Sequence, residues 1–167
     1  MPQKVIVDTG FLISLGLEKR DNHLAAKAYW KHFKETGMLV YLSTIVVAEF
    51  EIVDPIDDEI RLSCIPVNFN WPDARLAAKF ERFRDRAKEK EEKASRVAVR
   101  DDIKIIAQAA NLEVDYVITD DHDTFERYYT RLRDESLVNF KILVLRDGFD
   151  IGHFRAGGRD LLTPQGI

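Results

Sequence analysis

Cysteine is almost absent from this chain, since Cys64 is the only one among its 167 residues. A single cysteine excludes an internal disulfide and a zinc site built from cysteines. Cys64 lies in the apolar run RLSCIPV, where we expect a small buried side chain. Histidine offers no substitute, because the four histidines are not spaced as a metal site. The sequence also has no Ser-His-Asp or Cys-His arrangement for nucleophilic catalysis.

Long apolar runs and an excess of positive charge are missing as well. No run approaches the ~20 apolar residues of a transmembrane helix, and the start MPQKVIVDTG does not resemble a signal peptide. We therefore expect a cytoplasmic protein that has no membrane partner. The net charge of −4 gives no overall attraction for nucleic acid, so any polyanion must be held by a local basic patch or by a metal ion.

What the chain does have is a regular alternation of short apolar runs with segments of helical periodicity. We predict strands over residues 4–8, 38–42, 115–119 and 140–146, with an ambiguous strand at 60–69 that Pro66 interrupts. The predicted helices cover residues 21–37, 43–53, 72–94, 99–112 and 123–135. This order predicts one α/β domain with a mostly parallel sheet of about five strands, covered by helices on both faces.

Acidic residues collect where these strands end. One acid ends the first strand, three follow the strand at 115–119 within VITDDHDTF, one begins the helix at 99–112, and one interrupts the apolar IVVAEF. Parallel strands deliver such side chains to one edge of the sheet, which is where ligands bind in open α/β folds. In chain order these candidates are Asp8, Glu49, Asp102, Asp120, Asp121 and Asp123.

Each of these acids also has a purely structural explanation. Asp8 is a suitable N-cap for the helix that follows it, and Asp101 or Asp102 could cap the helix at 99–112 in the same way. Asp120 or Asp123 could cap the helix at 123–135, and for Asp123 capping is the favoured explanation. Glu49 could be paired with an arginine, because an ionised group in an apolar segment is costly without a partner. Together, however, clustered carboxylates repel one another unless a cation lies among them. Oxygen ligands without histidine or cysteine suit Mg²⁺ or Mn²⁺.

Four segments, IVDTGFLISL, STIVVAEFE, DDIKIIAQAA and VITDDHDTF, resemble in this order the motifs of PIN-domain nucleases. That family has a strand ending in Asp, then Ser-x-x-x-x-Ala-Glu on a helix, Asp followed by Ile-x-Ala-x-Ala, and Thr-x-Asp after a strand. The match covers residues 4 to about 145, and its specificity comes from the ordered set. The resemblance implies a three-layer α/β/α fold and a ribonuclease that hydrolyses single-stranded RNA with Mg²⁺ or Mn²⁺.

The resemblance also assigns the catalytic acids, which are Asp8, Glu49, Asp102 and Asp121. Asp102 is preferred to Asp101 because the Ile-x-Ala-x-Ala pattern then falls on residues 105–109. In this assignment Asp8, Asp102 and Asp121 hold the metal, while Glu49 completes the metal shell or orients the attacking water.

Three further residues are additional candidates for this site. Asp120 and Asp123 flank the fourth acid, and the Thr119 hydroxyl could hold a ligand or contact one of the metal-binding residues. His122 lies in the same run, where we expect a loop position that faces solvent.

Many members of the family are VapC-like toxins that pair with an antitoxin and dimerise, so an antitoxin and a second copy are the implied protein partners. For the homodimer we expect an exposed aromatic surface formed by Tyr29, Trp30 and Phe33. The chain differs from the short toxins in its long charged helix 72–94 and in a glycine-rich tail. We therefore divide it into a PIN-like domain, 1–147, and a C-terminal tail, 148–167.

A local basic region could bring RNA to an acidic protein. Residues 79–100 carry nine Lys or Arg against five Asp or Glu. Arg96, Arg100 and Lys104 lie close to Asp102 in sequence and are candidates for contacts with phosphates beside the cut. The alternative is a solvated helix face with i,i+4 ion pairs, and the charged end of helix 72–94 would then project into solvent.

Other acidic α/β folds fit the sequence less well. A haloacid dehalogenase phosphatase needs a second Asp two residues after the first, and Gly10 occupies that position. A phosphoacceptor receiver domain needs an acidic pair before the first helix, which is not found. The remaining alternative is a catalytically silent PIN fold that binds RNA or a protein.

Overall fold

Five short apolar segments form a parallel sheet. The computed structural model describes residues 1–84, 96–120 and 123–155. In chain order the strands are β1 Lys4–Val7, β2 Leu39–Ser43, β3 Ile65–Val67, β4 Tyr116–Thr119 and β5 Lys141–Val144. Their spatial order is β3-β2-β1-β4-β5, and every neighbouring pair is parallel. The predicted five-stranded parallel sheet is therefore confirmed.

Helices occupy the connections between the strands. They are α1 Thr9–Gly16, α2 His23–Thr36, α3 Thr44–Phe50, α4 Asp58–Ser63, α5 Trp71–Phe80, α6 Arg96–Asn111, α7 Thr124–Asp134 and α8 Gly152–Arg155. From β1 the chain moves to β2 and β3 on one side and then crosses to β4 and β5 on the other. Right-handed connections therefore place helices on both faces of the sheet, which is the predicted α/β/α arrangement.

The helix ends follow from local sequence. The Asp8 carboxylate caps α1, and Ser43 caps α3 by accepting a hydrogen bond from the Ile45 amide at 3.1 Å. A reciprocal capping box between Asn70 and Asp73 opens α5. Gly37 ends α2 at φ 66°, a left-handed conformation that favours glycine.

The ambiguous segment at 60–69 is only partly a strand. Residues up to Ser63 belong to α4, because the Asp57 side chain accepts a hydrogen bond from the Glu59 amide at 2.7 Å and starts a helix there. The strand β3 keeps three residues and lies at the edge of the sheet, where Pro66 is tolerated. Cys64, between the two elements, is buried as expected.

The long charged helix starts where it was predicted but its described part is short. Helix α5 begins at Trp71, with Pro72 in its first turn, and a 3₁₀ turn at Glu81–Phe83 follows it. Residues 85–95, on which the predicted charged end falls, lie outside the described residues.

The prediction of an exposed aromatic surface on α2 is wrong. Tyr29 and Phe33 are fully buried, and Trp30 is only 7% exposed. The reason is a distant part of the chain: Phe154 on α8 lies 6.1 Å from Tyr29 and 6.2 Å from Phe33 between ring centroids. Tyr29 also donates a hydrogen bond to the Gly148 carbonyl at 3.0 Å. The first part of the predicted tail thus packs against the domain, and residues 156–167 lie outside the described residues.

None of the described helices is both long enough and apolar enough to cross a bilayer.

Candidate functional site

Asp8 is fixed at the junction of β1, α1 and β4. Its Oδ1 accepts a hydrogen bond from the Phe11 amide at 2.7 Å, and its Oδ2 accepts one from the Thr119 hydroxyl. The Asp8 amide donates to the Ile118 carbonyl at 3.2 Å. Helix capping by Asp8 is therefore confirmed. Capping alone does not exclude a ligand, because a carboxylate oxygen can accept more than one hydrogen bond.

Thr119 contacts the first acid directly. Its side chain is fully buried at the end of β4, and its hydroxyl donates to Asp8. The hydroxyl can therefore orient the carboxylate at the end of the neighbouring strand, which is one of the two roles predicted for it.

Glu49 is held from α1. The Thr9 hydroxyl donates to its Oε2, so α1 connects the first two acids of the site. Burial is the largest effect on the pKa of Glu49 and raises it above the usual value. The hydrogen bond from Thr9 opposes this shift, the charge of Asp101 adds to it, and Lys104 opposes it. Glu49 is therefore a carboxylate in an environment that disfavours its charge.

Asp101 is the acid that sequence reasoning set aside and that the structure brings to Glu49. It raises the pKa of Glu49 by both charge and a hydrogen bond between the two side chains. Its Oδ1 forms an ion pair with the Lys104 Nζ at 2.6 Å. The i,i+3 spacing of Asp101 and Lys104 on a helix was the sequence signal for this pair.

Asp102 lies on the same helix, but further from its start than predicted. Because α6 begins at Arg96, Asp102 is in the second turn of the helix rather than at its first residue. Its side chain is half-buried, with Oδ2 fully buried. Helix α6 therefore brings Asp101 to Glu49, and Asp102 is the next residue on that helix.

Asp120 ties three elements together. Its Oδ2 accepts a hydrogen bond from the Ser14 hydroxyl at 2.7 Å, and its Oδ1 accepts one from the Asn22 side chain. A Cβ added at Gly10 would lie 2.9 Å from the Asp120 Cβ, so only glycine allows α1 to approach the end of β4 this closely. Asp120 therefore anchors the loop after β4 to α1 and to the start of α2.

The remaining residues of the acidic run are described only in part. Asp121, the predicted fourth acid, and His122 lie outside the described residues. Asp123 is exposed at the N-cap position of α7, but its side chain makes no capping hydrogen bond, so the capping explanation favoured by the sequence does not hold for it.

The three predicted phosphate contacts have different surroundings. Arg100 is exposed, whereas the Lys104 ammonium is engaged with Asp101. Arg96 begins α6, and its side chain lies outside the described part of the structure.

A complete metal site is not formed by the described residues alone. Among residues 1–84, 96–120 and 123–155, no three Asp, Glu, His or Cys side chains are grouped closely enough to hold one metal ion. The site at the ends of β1 and β4 thus consists of hydrogen-bonded carboxylates with a local excess of negative charge around Glu49.

Comparisons with known proteins identify the fold. No protein-family model and no curated protein matches the chain. Among solved structures, VapC20 of Mycobacterium tuberculosis, a toxin that cleaves the sarcin-ricin loop, is 19% identical with a TM-score of 0.55 over 74% of this chain and 94% of its own. DNA-bound VapBC from Salmonella typhimurium gives 15% identity and a TM-score of 0.51 over 86% and 98%.

A third structure agrees. VapBC2 from Rickettsia felis, bound to a DNA fragment from its promoter, is 12% identical with a TM-score of 0.51 over 75% of this chain and 92% of its own. This chain therefore has the α/β/α fold of VapC-like PIN proteins, as its motifs predicted.

Proposed function

We propose that this protein is a metal-dependent endoribonuclease that hydrolyses phosphodiester bonds of single-stranded RNA. One observation carries the proposal: Asp8, which the PIN motifs assign as the first acid, is fixed by Thr119 at the carboxyl ends of β1 and β4. This is the edge at which open α/β sheets bind their ligands.

The donor chemistry at this edge fits a hard divalent cation. The candidate ligands are carboxylate oxygens, which Mg²⁺ and Mn²⁺ prefer. The pKa of Glu49 is raised first by burial and then by the charge of Asp101, so a cation beside this carboxylate would favour its charged form. In this proposal Asp8, Asp102 and Asp121 hold the metal ion. Asp121 is required because the described residues do not complete a three-ligand group.

The protein side chains would have separate tasks in the reaction. Asp8 would hold one fixed orientation, because both of its oxygens accept hydrogen bonds from the protein. Glu49 would orient the attacking water through its carboxylate while Thr9 fixes its other side. A bound Mg²⁺ or Mn²⁺ would neutralise the acids and lower the pKa of a water molecule that attacks phosphorus. Arg96 and Arg100 would contact the flanking phosphates, with Lys104 screening Asp101.

A cleavage assay tests this proposal. Purified wild-type protein is incubated with a labelled RNA pool and Mn²⁺, and compared with Asp8→Asn and Asp121→Asn. We expect cleavage by the wild type that EDTA abolishes and that both substitutions remove. Asp115→Asn is the matched control, because Asp115 precedes β4 at the opposite end of the same strand and binds the Lys4 amide. Equal cleavage by the wild type and the Asp8 and Asp121 variants would refute the mechanism.

The biological role that we propose is that of a toxin with an antitoxin partner. Two of the similar structures are VapBC complexes with DNA. Three apolar side chains are strongly exposed in this region: Ile52 and Val53, which follow α3, and Leu62 on α4. A partner that covered them would remove apolar surface from water.

We expect a homodimer as well, although not through the buried aromatic residues of α2. Light scattering at high micromolar concentration tests it, and a monomer would refute it.

A second candidate function is a silent PIN fold that binds RNA or a protein. This function fits the same fold and, unlike the proposed cleavage, would need no metal ion. Thermal unfolding with and without Mn²⁺ separates the two functions. A catalytic site should be stabilised by Mn²⁺ and lose this effect in Asp8→Asn, whereas a silent fold should show no effect in either protein.

A further inference from the structure

A side chain at the start of α2 does not perform the task that its position favours. Asn22 occupies the N-cap position of α2, where an asparagine normally accepts a hydrogen bond from the first turn of its helix. Its side chain makes no capping hydrogen bond. The Asn22 Nδ2 donates to Oδ1 of Asp120, which lies 98 positions later in the chain. The side chain thus serves the acidic edge rather than its own helix, and such departures from a local rule are expected at functional sites.

Ser14 supports the same carboxylate from the neighbouring helix. It is fully buried in α1, and its hydroxyl donates to Oδ2 of Asp120 at 2.7 Å. Because serine is a poorer helix former than alanine, this contact explains the serine better than the helix does. Both oxygens of Asp120 are therefore held by neutral donors, one from each of two helices.

The two donors are also held together. The buried His23, which follows Asn22 in the chain, donates from Nδ1 to the Ser14 carbonyl at 2.9 Å. The His23 amide donates to the Arg20 carbonyl at 3.0 Å in the connection between α1 and α2. Asn22 and Ser14 therefore form one joint support rather than two independent contacts.

Asp120 lies next to the first acid of the site. A Cβ placed at Gly10 would lie 2.9 Å from the Asp120 Cβ and 3.5 Å from the Asp8 Oδ1, so both residues border the same point of α1. Thr119, directly before Asp120, donates to the other oxygen of Asp8. Asp121, the proposed fourth acid, is the next residue in the chain. The position of residue 120 relative to Asp8 therefore limits the arrangement of the proposed metal ligands.

We propose that Asn22 and Ser14 are positioning residues of the metal site, which act through Asp120 and do not touch the ion. By fixing both oxygens of Asp120, they hold the start of the loop after β4 beside Asp8 before an ion binds, so less conformational freedom is lost on binding. Residues that orient the ligands of a metal ion typically change its affinity by ten- to a hundredfold. The inference rests on the proposed metal-dependent function and adds two residues to which the sequence motifs assign no role.

Mn²⁺ binding, measured by electron paramagnetic resonance, tests this inference without any RNA. The metal-free protein is titrated with Mn²⁺, and the free ion is quantified from its resonance signal to give the dissociation constant. Ser14→Ala and Asn22→Ala should each weaken Mn²⁺ binding about tenfold. Urea unfolding in EDTA checks that both variants are folded, which we expect because Asn22→Ala removes no helix cap and Ser14→Ala introduces a good helix former.

Asn111→Ala is the matched control. The Asn111 Nδ2 donates to the Asp73 Oδ1 at 2.7 Å, so this variant also removes a hydrogen bond from a neutral side chain to a carboxylate. The next residue, Leu112, accepts from the Lys4 Nζ at 3.1 Å, and Lys4 begins β1 at the end of the sheet opposite to the acids. The Mn²⁺ dissociation constant of Asn111→Ala should stay within about twofold of the wild type, since distant sites act independently.

A double-mutant cycle shows whether the two residues act through Asp120. On an Asp120→Ala background, Ser14→Ala and Asn22→Ala should weaken Mn²⁺ binding no further, because their common acceptor is gone. Fully additive losses would show that they act by another route and would overturn the proposal.

The remaining outcomes separate this inference from the proposed function. Wild-type affinity for Mn²⁺ in both single variants would overturn the inference and leave the ribonuclease unaffected, and an equal loss in Asn111→Ala would overturn it by showing that affinity follows overall stability. If Asn22→Ala does not fold, Ser14→Ala decides alone. A wild type that binds no Mn²⁺ would refute the metal site and the inference together. Mn²⁺ binding that depends on Ser14 and Asn22, without cleavage of RNA, would support the inference and refute the ribonuclease.

Discussion

The contacts of Asp8 predict that its amide and alanine replacements behave very differently. Asp8→Asn keeps a carbonyl oxygen that can accept from the Phe11 amide and an amide group that can donate to the Thr119 hydroxyl. It also removes one negative charge from an acidic region. We therefore expect Asp8→Asn to lie within about 1 kcal/mol of the wild type in the absence of metal, or to be slightly more stable.

Asp8→Ala removes both contacts. Losing the N-cap of α1 costs about 0.5–2 kcal/mol. The fully buried Thr119 hydroxyl then loses its hydrogen bond to Asp8, which costs about 1–3 kcal/mol more. The sum is a destabilisation of about 1.5–5 kcal/mol, or a fall in Tm of roughly 3–20 °C at this chain length.

Urea unfolding in EDTA at pH 7 measures these differences, with Thr119→Val as the second variant. Thr119→Val removes only the contact between the side chains and should lose less stability than Asp8→Ala. If Asp8→Asn is as unstable as Asp8→Ala, the carboxylate charge rather than its geometry holds the junction, and the reasoning fails. If Asp8→Ala costs under about 0.5 kcal/mol, the two hydrogen bonds do not stabilise the fold.

Three further predictions follow from other contacts. The pKa of Glu49 is raised in the folded protein above its usual 4.5. Between pH 4.5 and that raised pKa the folded state therefore binds more protons than the unfolded state, and the protein loses stability as the pH rises through this window. Glu49→Gln should therefore stabilise the metal-free protein at pH 7, with the gain disappearing below about pH 4.5, and a pH-independent gain in urea titrations would contradict this. Gly10→Ala should cost about 1–3 kcal/mol, because its new Cβ meets the Asp120 Cβ at 2.9 Å. In a double-mutant cycle the same change should cost less on an Asp120→Gly background, and strict additivity would exclude the clash. Phe154→Ala should destabilise the protein by about 2 kcal/mol, since its ring packs against Tyr29, Phe33 and Tyr116, and the more exposed Phe149→Ala should cost less. Equal losses for the two phenylalanines in thermal unfolding would refute the packing argument.

The strands of the sheet were predictable because each is marked by the residues of its own short segment. Buried parallel strands need continuous β-branched runs, and β1 and β4 contain them in KVIV and YVIT. The cap residues at Asp8 and Ser43 were equally readable, since each must lie directly before its helix. The helix α4 was missed because its six residues have no buried side chain, so no apolar periodicity marks it.

The burial of the α2 aromatics could not be predicted from local sequence. Periodicity shows that Tyr29 and Phe33 share a face, but not which element covers it. The covering residue, Phe154, lies more than a hundred positions away in a segment with little pattern of its own. A contact of this sequence separation is decided by tertiary packing rather than by local preference.

Asp101 shows a different limit of the motif. Neighbouring residues on a helix point about 100° apart, so a motif that selects Asp102 says little about the side chain beside it. The structure gives Asp101 a direct effect on Glu49 and a lysine partner. The Asp101–Lys104 pair can therefore tune the second acid without being one of the four motif residues.

The contacts of the acids share a property that bears on their chemistry. Thr9 on α1 donates to Glu49 on α3, Thr119 at the end of β4 donates to Asp8, and Ser14 on α1 donates to Asp120. A hydroxyl fixes the orientation of a carboxylate but leaves its negative charge in place, whereas a lysine or arginine in the same position would cancel it. Stability alone would favour the cancelling partner at a crowded acidic edge. Lys104 is an exception, since it pairs with Asp101 and opposes the rise in the pKa of Glu49. In the proposed ribonuclease a metal ion would neutralise the remaining negative charge, so Asp8→Asn should preserve the fold and remove the activity.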